Sequence, residues 1–197
     1  MDAVDDAFEA VPRSAFLPRG ARRRAGFDGP LPIGHGGTCS QPRTVAEMLR
    51  LLDVHPGQRV LDVGSGSGWT TALLGHLVGR TGRVVGVEIE PHLAHWGADN
   101  VARAGMPWAQ ARAADPQVLG LPDEGPWHRI LVSAQAAHLP QALVDQLADP
   151  GRLVVPVAGR MVLVVLEDGA TRATEHGYYR FVPLQAPSPP TGQPRAR

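Results

Sequence analysis

Residues 59–69, Arg-Val-Leu-Asp-Val-Gly-Ser-Gly-Ser-Gly-Trp, constrain the fold of this chain more than any other stretch. They run from an apolar strand through an acid into three glycines at alternate positions, Gly64, Gly66 and Gly68. Thr70 to Val78 then reads as a helix, with Leu73, Leu74, Leu77 and Val78 on one side. Strand, glycine turn and helix in that order open a nucleotide-type α/β site. The glycines let a ligand approach the backbone closely. The first N–H groups of the helix point into the same space.

The spacing of the glycines selects among ligands. A dinucleotide fingerprint reads Gly-x-Gly-x-x-Gly. Here Trp69 occupies the third glycine's place, and the glycine comes one position earlier, at Gly68. The acid Asp62 stands two residues before Gly64. A carboxylate there repels a pyrophosphate and suits a cation. S-adenosylmethionine, with an ammonium and a sulfonium and no phosphate, is such a ligand. Residues 83–89 form a second buried strand ending near Glu88. An acid at that tip accepts hydrogen bonds from a ribose diol. That serves NAD and S-adenosylmethionine alike, so Asp62 and the glycine spacing make the distinction. The competing readings are a ligand-free βα turn and, for Glu88, a cap on the helix starting at Pro91.

The remaining strands and helices extend this beginning into one domain. Residues 2–10 are helical in pattern, and Pro12 and Pro18 interrupt the segment after them. Residues 26–42 read as a long glycine-rich loop around His35, and long loops in compact domains are often functional. Pro42 suits a helix start, and Val45, Met48, Leu49 and Leu52 continue a helix over 42–53. Thr38 and Ser40 thus sit just before a helix N-terminus. Their hydroxyls can cap that helix or join its N–H groups in holding an anion such as a carboxylate. A helix is expected over 91–104, weak and strong strands over 108–113 and 128–133, and a helix over 140–147 stopped by Pro150-Gly151. Strands come next over 152–157, 161–166 and 178–184, with a polar stretch between the last two. With no helices between them, these three should pair antiparallel. The pattern predicts an α/β fold, a doubly wound, mostly parallel seven-stranded sheet with an antiparallel C-terminal strand. Residues 1–186 form the single domain, 1–41 its substrate-side segment, and the proline-rich residues 187–197 a disordered tail.

Composition narrows the function classes. The 19 cationic side chains, all arginine, equal the 19 acidic ones, so no general attraction to nucleic acid is expected. The cluster Arg19, Arg22, Arg23 and Arg24 could touch phosphates, but the nearby acids Asp2, Asp5, Asp6, Glu9 and Asp28 favour a solvated helix face. No apolar run approaches the roughly 20 residues that span a bilayer, and the acidic N-terminus lacks the order of a signal peptide. Cys39 is the single cysteine, so no internal disulfide framework exists. It reads as a small apolar filler rather than a nucleophile. His92 and His95 lie one turn apart without a further ligand cluster, so no metal is expected. A cytoplasmic monomer with no membrane or nucleic-acid partner is the expectation.

Several segments together resemble the protein-L-isoaspartate O-methyltransferase family, class I methyltransferases that use S-adenosyl-L-methionine (SAM). They are residues 10–18 (Ala-Val-Pro-Arg-Ser-Ala-Phe-Leu-Pro), residues 31–42 with Pro-Ile-Gly-His-Gly, Thr38 and Ser-Gln-Pro, residues 60–68, 151–157, and 180–184. The similarity runs from about Ala7 to Leu184. The glycine motif is shared by many methyltransferases, whereas the segment around His35 and Ser40 is the specific part. The resemblance implies a Rossmann-like fold. It implies that Ser40, with Thr38 beside it, meets the substrate carboxylate. Asp62, Gly64, Ser65, Gly66 and Gly68 match the turn at the methionine end of the cofactor, Glu88 the ribose acid, and Asp115 an acid at the adenine end. Gly37 and Cys39 depart from the family's Gln and Ile, Ala114-Asp115-Pro116 from its Gly-Asp-Gly, and only ten residues precede Val11 where a longer helical arm is common.

The implied reaction is methyl esterification of the α-carboxylate of L-isoaspartyl residues in proteins or peptides. The ester then closes to a succinimide that hydrolyses partly to normal aspartate. A carboxylate with a pKa of about 4 is ionised at neutral pH and needs no general base. It attacks the sulfonium methyl in line, so positioning and exclusion of water dominate, effects that reach about 7–11 kcal/mol. Neutral hydroxyls orient the carboxylate without blunting it. Two rivals remain: a related methyltransferase acting on aspartate in a biosynthetic peptide or on a small molecule, and a non-catalytic SAM- or peptide-binding module.

Overall fold

Strands covered on both faces have no polar side to show, so short apolar runs become the middle of a parallel sheet. In the computed structural model, which describes residues 2–185, the chain begins with α1 (Ala3–Ala10), a hairpin of β1 (Leu31–Gly34) and β2 (Gly37–Cys39), and α2 (Pro42–Leu52). The βα units come next: β3 (Arg59–Val63), α3 (Trp69–Val78), β4 (Arg83–Glu88), α4 (Pro91–Arg103), β5 (Ala109–Ala113) and β6 (Trp127–Val132). The end is α5 (Gln141–Val144), β7 (Leu147–Val157), β8 (Arg160–Glu167) and β9 (Ala170–Tyr178).

Seven strands form one sheet in the order β5-β4-β3-β6-β7-β8-β9. The first five of these pair in parallel, and β8 and β9 are added antiparallel. The chain steps outward from β3 through β4 to β5, then returns to lay β6 on the other side of β3. That reversal opens a crevice beyond the C-terminal ends of β3 and β6, the usual ligand position in such a sheet.

Alternation divides the strand residues between two cores. Val60, Val84, Leu131 and Val154 face the layer that contains α1 to α4. Leu61, Val85, Ile130 and Leu153 face the opposite layer with Trp127, Leu143 and Val144. Helix α3 is buried nearly all round, as its apolar sequence requires, because α1 packs over the side turned away from the sheet. Truncating Leu73 or Leu74 there, each fully buried, should cost about 2–5 kcal/mol.

Four expectations need correction. Residues 26–42 are not all loop, since β1 and β2 pair across a two-residue turn at His35 (φ 49°) and Gly36 (φ 75°). Positive φ at both central residues is the geometry of a tight hairpin, but His-Gly is a weak signal for it. The helix expected over 140–147 is one turn, because the N–H of Trp127 donates to the carbonyl of Gln146 (2.8 Å) and starts β7 already at Leu147. The polar stretch after Glu167 is itself strand β9, exposed along nearly its whole length. An edge strand wet on both faces has no alternation to read. Residues 179–184 are not that strand. Pro183 lies beside Gln135 in an isolated bridge, and proline lacks the N–H a ladder needs. The tail expected at 187–197 falls outside the described residues.

Candidate active site

The turn from β3 into α3 is built from backbone in conformations that side chains resist. A Cβ at Gly68 (φ 83°) would sit 2.6 Å from Val101 Cγ2 and 2.8 Å from the carbonyl oxygen of Gly97. The glycine therefore lets α4 close on the turn. Asn100 of α4 donates to the carbonyl of Ser67 (2.9 Å) and fixes the approach.

Asp62 occupies a different place from the one its sequence position suggests. It is fully buried and does not line the cavity. Its Oδ2 accepts hydrogen bonds from the hydroxyls of Thr70 and Thr71, both 2.7 Å. The carboxylate thus ties the strand to the first turn of α3, and contact with a cationic ligand is not what this geometry provides. Burial pushes its pKa up to about 6, opposed by the two threonine hydroxyls and aided by the charge of Glu88. Its Oδ1 has no hydrogen-bond partner among the described residues.

Glu88 stands where the sequence places it, at the tip of β4 on the cavity wall. Its Oε2 accepts from the N–H of Gly66 (2.8 Å) and its Oε1 from the N–H of Glu90 (3.0 Å). It does not cap α4. Glu90 is the N-cap, accepting from the N–H of His92. Glu90 also pairs with His35 (3.3 Å) and His92 (3.0 Å), whose rings stack at 4.7 Å with an angle of 8°. These three could offer ligand atoms to a metal. Both Nδ1 atoms approach the same oxygen, Glu90 Oε1, and the stacked rings bring the hairpin tip against the start of α4.

The opposite wall is organised by Arg13, which in sequence is only one residue of a Val-Pro-Arg string. It is buried at 5% exposure. Its guanidinium donates to the carbonyls of Ala25, Phe27, Gly29, Cys39 and Ser40, at 2.8–3.3 Å, and its Nε to the Cys39 sulfur at 3.5 Å. It also lies 5.5 Å from the Trp69 ring centroid. One side chain therefore gathers the loop and the hairpin onto the start of α3. The only forewarning is an arginine amid apolar residues in a segment with no acid beside it. Burial pushes the pKa of the Cys39 thiol up, opposed by the smaller effect of the Arg13 guanidinium, which suits a packing role.

The helix after Thr38 and Ser40 takes its cap from Asp28. Its Oδ1 accepts from the N–H of Arg43 (3.1 Å) in the first turn of α2, and its Oδ2 from Gln41 Nε2 (3.1 Å). These bonds hold the Asp28 carboxyl below its ordinary pKa. The helix has its partner from a distant residue, and among the described residues neither Thr38 nor Ser40 bonds to its N-terminus. Gly37 also has a local reason. A Cβ there would lie 2.8 Å from Leu93 Cδ1.

A cavity of about 430 Å³ brings these walls together. Thr38 and Ser40 line it from one side, Gly64, Ser65, Gly66 and Glu88 from the other, and Asp115 from the loop after β5. Gly68, like Asp62, lies behind it. Residues 182–185 close the remaining side, held by the N–H of Gln135 donating to Val182 and that of Leu184 to Gln135. Among the described residues the charged side chains of the lining are Glu88, Glu90 and Asp115, with His35 and no arginine. That set disfavours phosphate and accommodates a cation. The Ser65 hydroxyl, in a residue 4% exposed, has no partner among the described residues. A polar ligand at the turn would supply one. Beside the cavity runs a groove lined by Arg43, Glu47, Tyr179, Arg180 and Phe181, sharing Thr38, Ser40, Ser133 and Val182 with it.

Comparison with known proteins agrees with this geometry. The family model described as protein-L-isoaspartate(D-aspartate) O-methyltransferase matches residues 1–188. A protein-L-isoaspartate O-methyltransferase of Aeropyrum pernix is 43% identical over 186 residues, covering 92% of this chain and 72% of the relative. That of Methanopyrus kandleri is 41% identical, covering 92% and 82%. A solved protein-L-isoaspartate O-methyltransferase superposes with a TM-score of 0.84 at 26% identity, over 93% of this chain, which spans 61% of that longer chain. A Plasmodium falciparum structure described as a family member, in complex with S-adenosyl-L-homocysteine, gives 0.81 at 27% identity over 93% of this chain and 90% of its own.

Proposed function

The chain belongs to the protein-L-isoaspartate(D-aspartate) O-methyltransferase family, and on that premise we propose that it is a SAM-dependent enzyme esterifying the α-carboxylate of L-isoaspartyl residues in proteins or peptides. The observation that supports this most directly is a single cavity joining the glycine turn and Glu88 to the Thr38 and Ser40 hydroxyls. When bound, SAM supplies an activated methyl group. The residues that would hold it are Gly64, Ser65 and Gly66 of the turn for the methionine end, Glu88 for the ribose hydroxyls and Asp115 for the adenine end, while Gly68 shapes the turn from behind, against α4. Asp62 serves by fixing the turn and by its charge behind it, not by contact.

The chain's own residues then have three tasks. Thr38 and Ser40 orient the acceptor carboxylate through neutral hydrogen bonds, which leave its charge available for attack. Arg13 holds the carbonyl of Ser40 (2.8 Å) and so sets where that hydroxyl stands. Residues 182–185 and the hairpin cover the cavity and limit water. A carboxylate with a pKa of about 4 needs no proton removed before it attacks. Release of the methyl ester toward a succinimide then starts repair of the damaged residue. We also read the protein as a monomer working on proteins in the cytoplasm rather than on nucleic acid, in keeping with its zero formal charge. Sedimentation tests the monomer.

Transfer of radiolabelled methyl to an isoaspartyl peptide, beside its aspartyl twin, tests the function. Label is expected in the isoaspartyl peptide alone. Protein that binds S-adenosylhomocysteine yet labels neither peptide, or only the aspartyl one, would overturn the reading.

A further inference from the structure

We infer that Ser133 supplies a third hydroxyl to the acceptor-carboxylate site, making it a substrate-contacting residue beside Thr38 and Ser40. The inference rests on the carboxyl-methylating function proposed above and deepens it.

Ser133 comes directly after the last residue of β6, at the point where the sheet order reverses. Its N–H donates to the carbonyl of Val63 (2.8 Å), so its backbone is held against the end of β3. A Cβ built on Gly64 would lie 3.8 Å from its carbonyl carbon, so it stands beside the glycine turn. Its side-chain oxygen is enclosed and has no hydrogen-bond partner among the described residues. A hydroxyl in that condition has lost water without gaining a replacement, and a ligand atom restores the balance. One torsion, χ1, moves that oxygen among its staggered positions.

The location identifies the ligand group. Among the described residues, only Thr38, Ser40, Ser133 and Val182 line both the cavity and the adjoining groove. The atom that passes from acceptor to cofactor side must stand at that junction. Three of the four residues there are hydroxyl donors. A carboxylate presents two oxygens with about four lone-pair sites, more than Thr38 and Ser40 can fill. Two arginines line the groove, Arg43, which is engaged with Glu47 (3.3 Å), and Arg180, but among the described residues no arginine lines the cavity. The junction therefore offers neutral donors to an anion, as a nucleophilic carboxylate requires.

The test compares Ser133→Ala, Ser133→Thr and Ser133→Val, with S-adenosylhomocysteine titration, steady-state methyl transfer to an isoaspartyl peptide, and competition by its carboxamide twin. Ser133→Ala should lower kcat/KM for the peptide by about tenfold or more, the loss of one hydrogen bond to a charged group. Ser133→Thr should recover most of that loss and the equally bulky Ser133→Val should not. S-adenosylhomocysteine affinity should stay within about twofold, and the peptide's advantage over its carboxamide twin should shrink with the hydroxyl. Equal kcat/KM for the threonine and valine variants, or a carboxylate preference unchanged in Ser133→Ala, would overturn the inference. Wild-type protein inactive on the isoaspartyl peptide would instead remove the function on which it rests.

Discussion

The cofactor wall and the acceptor wall of the cavity are kept in shape by different means. The cofactor wall is the end of three parallel strands, with positive-φ glycines between strand and helix and apolar residues above and below. Its shape is distributed over many small contacts, each replaceable. The acceptor wall, residues 25–40, has two short strands and little core of its own. It depends on one buried guanidinium bonded to five carbonyls. Distributed packing tolerates loss at one position, whereas a single hub does not.

Arg13→Met breaks the comparison where it should be weakest. It leaves five carbonyls short of a donor and should cost about 3–5 kcal/mol. Hydrogen exchange would show residues 25–40 opening before the sheet, with methyl transfer lost and S-adenosylhomocysteine still bound by the protein that remains folded. Simultaneous loss of protection in β3 and β4 would mean the two walls are one unit.

Asp62→Asn probes the cofactor wall. The folded pKa of Asp62 is raised from 3.8 to about 6, so the folded protein binds the proton more tightly than the unfolded chain. The stability from that proton is complete below pH about 4, falls as pH rises to about 6, and is gone above it. Two pKa units set an upper bound of about 3 kcal/mol. Denaturant titrations from pH 4 to 7 should show this decline in the wild type and its absence in the asparagine variant. Parallel profiles would reject the burial of a titrating carboxylate under the turn.

Glu88→Gln keeps the size of the side chain and removes its charge. Two N–H groups now bonded to a carboxylate would face a neutral amide, and a ribose would lose its strongest acceptor. Calorimetry should find S-adenosylhomocysteine bound roughly ten- to thirtyfold more weakly. Peptide binding to the acceptor wall should stay the same. An equal loss for both ligands would show that Glu88 supports the whole cavity rather than one wall of it.

Legibility in the amino acids divides along the same line. The strand, turn and helix at 59–78 announce themselves because alternating glycines and apolar periods are local patterns. Glu88 is legible for the same reason. Asp62 is legible as a residue but not in its place, since sequence spacing says which residue is near a turn and not which side of it the carboxylate occupies. Arg13 and Asp28 give no such signal, because their partners lie 12–27 and 13–15 residues away. Strand β9 is hidden because solvent on both faces erases the alternation that marks a strand. Ser133 is inconspicuous at the end of an apolar strand. Its meaning comes from the two cavities that meet there.

The smallest expected effects separate capping from catalysis on the acceptor wall. If Ser40 stabilised α2, Ser40→Ala would lower Tm and Asp28→Ala would not. The hydrogen bonds assign the helix end to Asp28, so the outcomes should be crossed. Asp28→Ala should lower Tm by a few degrees and reduce turnover only as far as the loop loosens. Because the Asp28 carboxyl is held below its ordinary pKa, its contribution is present above the unfolded value of 3.8 and fades as pH falls through the lower folded one. Acid titration of the Asp28→Ala variant should therefore lose a step that the wild type shows. Ser40→Ala should leave Tm unmoved and cut kcat/KM for the isoaspartyl peptide by about tenfold, the worth of one hydrogen bond to a charged group. A Tm loss in Ser40→Ala matching that of Asp28→Ala would return Ser40 to a structural role and leave the acceptor carboxylate without its principal donor.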